Sequence, residues 1–166
     1  DAIALPLHID PGNGEFYELP PATFAVVGAE AVGVHGFAPS IVATGERFDV
    51  VLRTEDRYYN RASGRIPSYE VMLNGEWVGR IPGTEALQRF PVELSSPGVY
   101  RISFRSDDGS IEGIANPIWV KNSPQQRIYW GETHGHCGFA EGHGTPEGYF
   151  EFARDDASLD FITLSE

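Results

Sequence analysis

The sequence predicts a mainly β chain: an immunoglobulin-like antiparallel β-sandwich followed by a single strand–helix–strand (βαβ) unit. Three observations predict it. Short apolar runs recur from residue 22 to residue 122 with turn signals roughly every 8–12 residues and no helical period. The 166 residues include 19 Gly and 12 Pro, a composition of strands and turns rather than of a helical bundle. Beyond the last of these runs, Thr145-Pro146-Glu147 reads as a capped helix start. An apolar run, Leu159 to Leu164, follows it in the manner of a parallel strand buried on both faces.

These signals divide the chain into four parts. Residues 1–21 are an extended lead-in, broken by Pro-Gly-Asn-Gly and a Pro-Pro pair and expected to have little regular structure. Ile3, Leu5, Leu7, Phe16 and Tyr17 would lay it against the body, and its His8 reads as a packed or solvated residue. Residues 22–122 are the sandwich. Residues 123–126, the end of the polar stretch Lys-Asn-Ser-Pro-Gln-Gln, are a linker. Residues 127–166 are the strand–helix–strand unit.

Within the sandwich, Thr23 to Val27 and Ala31 to Phe37 are β-rich with Gly breaks. Glu46 to Thr54 alternates, with Phe48, Val50 and Leu52 on one face and Asp49 and Arg53 on the other. Asn74-Gly75 between Tyr69–Leu73 and Glu76–Arg80 predicts a type I′ hairpin, since both central residues need positive φ. Leu87 to Leu94 follows. Val99 to Arg105 sets Tyr100, Ile102 and Phe104 against Arg101, Ser103 and Arg105, with Tyr100 a core aromatic or a corner tyrosine. Asp107-Asp108-Gly109 is a turn, and Ile111 to Ile114 and Pro117 to Val120 complete the series. The loop Thr54 to Arg65 offers Glu55, Asp56 and Asn60 to a calcium ion, although it lacks the dense Asp/Asn repeat of a dedicated calcium loop. A polar sandwich loop is the plainer reading.

Composition narrows the function. Apolar residues make up 41% and aromatics 12%, enough to build a core. The formal net charge is −12, and Lys121 is the sole lysine. A protein that grips nucleic-acid phosphates needs a basic face, which this sequence lacks. The acidity equally disfavours anionic membranes, and no apolar run of spanning length occurs. Cys137 stands alone, so no internal disulfide forms. The chain starts at Asp1 rather than Met; a cytoplasmic location and export after leader removal are both compatible with that.

The chemistry concentrates in residues 127–166. Ile128-Tyr129-Trp130-Gly131 is a short strand, and Glu132-Thr133-His134-Gly135-His136 follows it. In extended backbone, residues i and i+2 project to the same side, so His134 and His136 can aim at one ion. Glu132 shares their parity and can hold a ligating imidazole by its second nitrogen. Gly135 leaves the backbone open to substrate or metal. Glu141 and His143 lie in a Gly-rich loop that can wrap back over the strand end. His and carboxylate ligands suit zinc, manganese or iron. Cys137 has the opposite parity and reads as packing beneath the loop. The helix runs to about Ala157 with Phe150, Ala153 and Ala157 on one face, and Ser165 and Glu166 sit at the carboxyl end of the second strand.

The series W-G-E-T-H-G-H-C-G-F-A-E-G, T-P-E and L-D-F-I-T-L-S-E resembles the opening of a PHP (polymerase and histidinol phosphatase) domain, whose pattern is D-L-H-x-H-T-x-x-S-D-G, P-E-E, G-L-D, T-D-H. The phrases Ile128-Tyr129-Trp130-Gly131 and Ala115 to Val120 resemble, more narrowly, an uncharacterised bacterial group of PHP-like proteins in which a β-sandwich precedes the PHP-like part. The resemblance implies a (β/α)7 barrel holding two or three divalent metals that hydrolyse phosphoesters. It implies metal ligands at His134, His136 and Glu141, and second-shell residues or further ligands at Glu132 and Glu166; the Gly-rich loop itself adds His143 as a further possible ligand. Two family aspartates are replaced by Glu132 and Glu141, a Thr by Cys137 and a Ser by Ala140.

The expected function is thus the N-terminal portion of a PHP-like metal-dependent phosphoesterase, truncated at Glu166. A divalent metal (Zn, Mn or Fe) is expected in the parent, with weak or no binding and no activity in this piece alone. Its partners would be the remainder of the barrel, or a second copy through the exposed unit. Two other readings compete. One is a sandwich module binding carbohydrate or protein through Tyr58, Tyr59 and Trp77, with an incidental His-rich tail. The other is one part of a split protein.

Overall fold

A computed structural model describes residues 2–14 and 17–165. The molecule is mainly β, with several antiparallel sheets, and its body is a β-sandwich. Strands β3 (Gly33–Phe37), β5 (Arg47–Glu55) and β8 (Leu87–Glu93) form one antiparallel sheet in the order β3-β5-β8. Opposite lie β11 (Glu112–Ile114), β10 (Ile102–Ser106), β6 (Tyr69–Leu73) and β7 (Glu76–Ile81), in that order. A third sheet joins β4 (Ile41–Ala43), β12 (Ile118–Lys121) and β9 (Gly98–Tyr100). All three sheets feed one core, which includes Val34, Val42, Val50, Leu52, Tyr69, Val71, Ile102, Phe104, Ile118 and Val120. Burying a Leu or Phe side chain of this kind contributes about 1.5–3 kcal/mol.

Local chemistry accounts for the strand ends. Asn74 (φ 51°) and Gly75 (φ 88°) make the left-handed pair expected of a type I′ turn, so β6 and β7 form the predicted hairpin. Pro91 cannot donate to a ladder, and it sits on β8, an edge strand where no donor is needed. Asp108 closes its turn by accepting from the Ser110 N–H and from the Ser106 and Ser110 hydroxyls. Those donors, led by the Ser110 N–H, hold its carboxyl down to about 2.

Several expectations need correction. The run Val99 to Arg105 is not one strand. It splits at Arg101, whose N–H turns to Asn74 Oδ1, so β9 and β10 belong to different sheets. Tyr100 packs against the core, and its hydroxyl also donates to the Ser96 carbonyl at 3.0 Å, as a corner tyrosine does. The sandwich is not wholly antiparallel: β4, a strand the pattern did not suggest, pairs parallel with β12. On β5 the alternation holds only at the start, because from Val50 to Leu52 three successive residues are buried. β5 is a central strand, and on its second face Val51 lines a cleft shared with the C-terminal unit while Arg53 pairs with Asp156.

The first residues are more regular than expected. β1 (Ala2–Ile9) and β2 (Tyr17–Ala25) form an antiparallel ribbon, irregular between Leu5 and Leu7, where Pro6 has no N–H to give. Leu5, Ile9, Tyr17 and Leu19 are exposed on it, so Leu5 and Tyr17 do not bury against the body. Phe16 and the side chains of Ile3 and Leu7 lie outside the described residues.

Residues 127–165 form the strand–helix–strand unit. β13 (Gly131–Glu132) pairs parallel with β14 (Phe161–Ile162), and the connection contains α1 (Pro146–Glu151). Thr145 caps α1 by accepting from the Gly148 N–H, with Pro146 in the first turn, as the sequence predicts. The helix then widens into a π-helical turn, Phe152–Asp156, and only Ala153 in it is buried. The expectation of a buried strand over Leu159–Leu164 is not met: Phe161 is exposed, as is Trp130 beside the first strand, and β13 and β14 span two residues each. A parallel pair is buried when layers cover both its faces. Among the described residues, one short helix and the edge of the sandwich are what meets it.

Polar contacts dock the unit on the sandwich. The Arg127 guanidinium grips Glu46 with two bonds of 2.8 Å and holds its carboxyl below the usual range. Trp130 Nε1 donates to Ser40 Oγ at 2.8 Å. Arg61 pairs with both oxygens of Asp156 at 3.0 and 2.8 Å, and Arg53 lies 3.4 Å from the same carboxylate. A cleft of about 550 Å³ remains between the two parts, lined by Val51, Arg89, Trp130, Arg154 and Leu159 among others.

Candidate metal site at the end of a parallel strand

The ladder of β13 and β14 runs past its two formal pairs. Thr163 N–H donates to Glu132 O at 3.0 Å, and Ser165 N–H donates to Gly135 O at 3.1 Å. This brings the segment after β13 alongside the end of β14. Glu132 shapes the turn, since its Oε1 accepts the N–H groups of Thr133 (2.8 Å) and His134 (2.9 Å). In this arrangement Glu132 Oε1 serves the backbone rather than an imidazole.

His134 and His136 converge. Their Nε2 atoms lie 3.1 Å apart, with ring centroids at 4.9 Å. Two ligands of a tetrahedral ion with bonds of about 2.0–2.1 Å stand roughly 3.3 Å from each other, so this separation fits shared ligation. It also fits a direct hydrogen bond. The second nitrogen of His134 is held from outside: Nδ1 lies 3.1 Å from Ser165 Oγ, and the Gly135 N–H donates to the same oxygen at 3.3 Å. His136 Nδ1 is buried and has no hydrogen-bond partner.

Gly135 is required for a reason other than ligand access. A Cβ there would overlap the Tyr149 hydroxyl, which passes over the backbone and donates to Thr163 O at 3.3 Å. The phenol of α1 thus clamps the histidine loop. Gly142 is similarly placed against the His136 carbonyl. Cys137 is fully buried, in keeping with its packing role, and its carbonyl accepts from Ala140 and Gly142.

The other expected ligands do not join the pair. Glu141 and His143 are exposed on the Gly-rich loop. Among the described residues, no group of three or more His, Cys, Asp or Glu side chains is placed to hold one ion. Glu166 lies outside the described residues. Sequence parity brought out the two histidines. Ser165 was placed at the strand's carboxyl end, but its contact with His134 depends on the parallel register, which no residue spacing reveals.

The calcium reading of the Thr54–Arg65 loop is excluded by internal bonding. Asp56 is buried and accepts from the N–H groups of Ala29 (2.9 Å), Tyr58 (2.8 Å) and Asn60 (3.0 Å), and from Asn60 Nδ2 (3.2 Å). These donors, Ala29 foremost, hold its carboxyl down to about 2. Glu55 is also committed, to His35 Nδ1 at 2.7 Å and to Arg53 at 3.1 Å. Each carboxylate oxygen of the loop already has a protein partner. Tyr58, Tyr59 and Trp77 are exposed, the first two on this loop and Trp77 on the edge strand β7. Among the described residues, no helix is long and apolar enough to cross a membrane.

No protein-family model matches the chain. It is similar to uncharacterised proteins of Chlamydia muridarum (28% identical), Chlamydia trachomatis (28%) and Chlamydia pneumoniae (29%). Each match covers 96% of this chain and 27% of the relative, so the chain spans about a quarter of the length of these curated relatives. Among solved structures, a CARDB domain from Pyrococcus furiosus is similar over 55% of this chain and 94% of its own (TM-score 0.38, 14% identity). Fibronectin(III)-like modules of Clostridium thermocellum CbhA are similar over 66% and 57% (TM-score 0.38, 22% identity). At those scores the likeness is partial and does not by itself fix a fold.

Proposed function

We propose that this chain is a β-sandwich module of a longer protein, and that the unit docked on it supplies half of a divalent-metal site through His134 and His136. The observation that carries the metal reading is the approach of the two Nε2 atoms to 3.1 Å at the carboxyl end of a parallel strand, where α/β active sites gather. The remaining ligands would come from residues outside those described, Glu166 first among them. The PHP resemblance supplies the reaction class, hydrolysis of a phosphoester. A bound ion would there activate water and stabilise the leaving oxygen. This chain's own residues would hold and orient the ion. Calorimetric titration of the longer protein with zinc tests the proposal: binding that both His134→Ala and His136→Ala weaken is expected, and binding that survives both changes unaltered sinks it.

A second reading rests on a different observation. Most of the described chain is a sandwich, and Tyr58, Tyr59 and Trp77 stand exposed on it, which suits a module that binds protein or carbohydrate. A partner whose affinity falls with Trp77→Ala and ignores both histidine changes would favour this reading over the metal one.

A further inference from the structure

We propose that the cleft between the sandwich and the C-terminal unit is a carbohydrate-binding site, with the Trp130 indole as its platform and Arg89 and Asp49 as the groups that read two neighbouring hydroxyls. The cleft is separate from the metal position. Trp130 and Asp160 line it and precede β13 and β14, so it opens at the amino end of the parallel pair, whereas His134 and His136 follow the carboxyl end.

The platform is fixed before any ligand arrives. Trp130 is 59% exposed, yet its backbone and its ring are both anchored. Its N–H donates to Asp160 Oδ2 at 2.8 Å, its carbonyl accepts from the Asp160 N–H at 2.7 Å, and its Nε1–H donates to Ser40 Oγ at 2.8 Å. Ser40 Oγ is held in turn by the Asn116 amide, which also donates to and accepts from the backbone of Ala38. An exposed indole held in this way is a flat apolar surface that loses little freedom when a ligand covers it.

The sandwich side of the cleft carries Asp49, Val51 and Arg89 on one face of β5 and β8. Arg89 Nη1 lies 3.9 Å from Asp49 Oδ2, beyond hydrogen-bond range, and both side chains are largely exposed. A guanidinium that donates beside a carboxylate that accepts matches two adjacent hydroxyls, one accepting and the other donating. The charged side chains on the walls are Arg89 and Arg154 against Asp49 and Asp160, so their charges cancel and the cleft favours neither an anion nor a cation. Arg154 is moreover taken up by Asp155, through bonds of 2.7 and 2.6 Å. A neutral molecule with a flat apolar face and adjacent hydroxyls on its rim is a pyranose with equatorial substituents, whose axial C–H groups cover an indole ring. The volume, about 550 Å³, lies within the roughly 300–1,000 Å³ of small-molecule sites, which gather at the seams between structural units.

Calorimetric titration of the longer protein with cellotriose, and separately with triacetylchitotriose, tests the proposal. The two sugars share the equatorial ring and differ in the acetamido group, so the pair of titrations also reads which ring the cleft prefers. Binding of at least one sugar is expected, weakened about tenfold or more by Trp130→Ala and by Arg89→Met. The Trp130 indole also bonds Ser40, so Trp130→Ala can loosen the unit; Arg89→Met alters an exposed side chain and keeps the test independent of that. Binding of neither sugar overturns the proposal, and so does binding that ignores Arg89→Met. Binding that is lost with Trp77→Ala and kept with Trp130→Ala would place the sugar on the sandwich surface and overturn it equally.

Discussion

In the sandwich, Leu52, Tyr69, Val71, Ile102, Phe104 and Ile118 are all but sealed from solvent. In residues 127–165, Cys137 and Ala153 are the buried apolar residues among those described. The first region is held by apolar burial summed over many side chains. The second is held by a few directed contacts: Arg127 on Glu46, Arg61 and Arg53 on Asp156, Trp130 on Ser40, Tyr149 over Gly135. The difference teaches where chemistry sits on this molecule. Among the described residues, the sandwich's one histidine, His35, is committed to Glu55. The converging histidines sit on the part with little core of its own, and its geometry is set by hydrogen bonds and parallel register.

Substitutions can break or sharpen that contrast. Leu52→Ala removes a fully buried side chain from the central strand of the sandwich and is expected to cost about 2–5 kcal/mol, read as a lower midpoint in denaturant for the whole chain. Asp156→Ala leaves Arg61 and Arg53 without their shared carboxylate. Since Asp156 is only partly buried, the expected loss is about 1–2 kcal/mol. Its signature is local: amide protection falls across 127–165 and stays unchanged in the sandwich. Global loss would show that the two regions unfold as one. Gly135→Ala forces the Tyr149 hydroxyl off the histidine loop and is expected to separate the two imidazoles, read as loss of their mutual nuclear Overhauser contacts with sandwich spectra unchanged.

The smallest expected effect concerns acid. Asp56 has a folded-state carboxyl held at about 2 against an ordinary value of 3.8, so the proton binds the unfolded chain first as pH falls. Its stabilisation is fully present above about pH 4 and is lost as pH drops through 3.8 towards 2. Asp56→Asn should therefore destabilise the chain at neutral pH and flatten the acid branch of its pH–stability profile. Identical acid branches would mean that the loop bonds are not stabilising.

Legibility followed the same division. The Asn74-Gly75 turn, the Thr145 cap and the β-rich character of 22–122 were visible because each rests on a local rule, positive φ, an orphan N–H or side-chain alternation. The break at Arg101 was not, since it depends on Asn74 lying across the sheet. The short β4 was not, since its three residues acquire meaning only beside β12. In the C-terminal unit, the i, i+2 spacing of His134 and His136 announced their convergence. Ser165 and Tyr149 entered through register and helix docking, which are tertiary. The plainer reading of Asp56, a polar loop residue rather than a calcium ligand, agrees with acceptors taken up by N–H groups of its own loop and of distant Ala29.

The central claim is that His134 and His136 share one divalent cation, and anomalous diffraction from crystals of the chain grown with zinc tests it most directly. A zinc peak about 2.0–2.1 Å from both Nε2 atoms is the expected result. A map in which zinc is absent from the pair, or touches one imidazole alone, would contradict it.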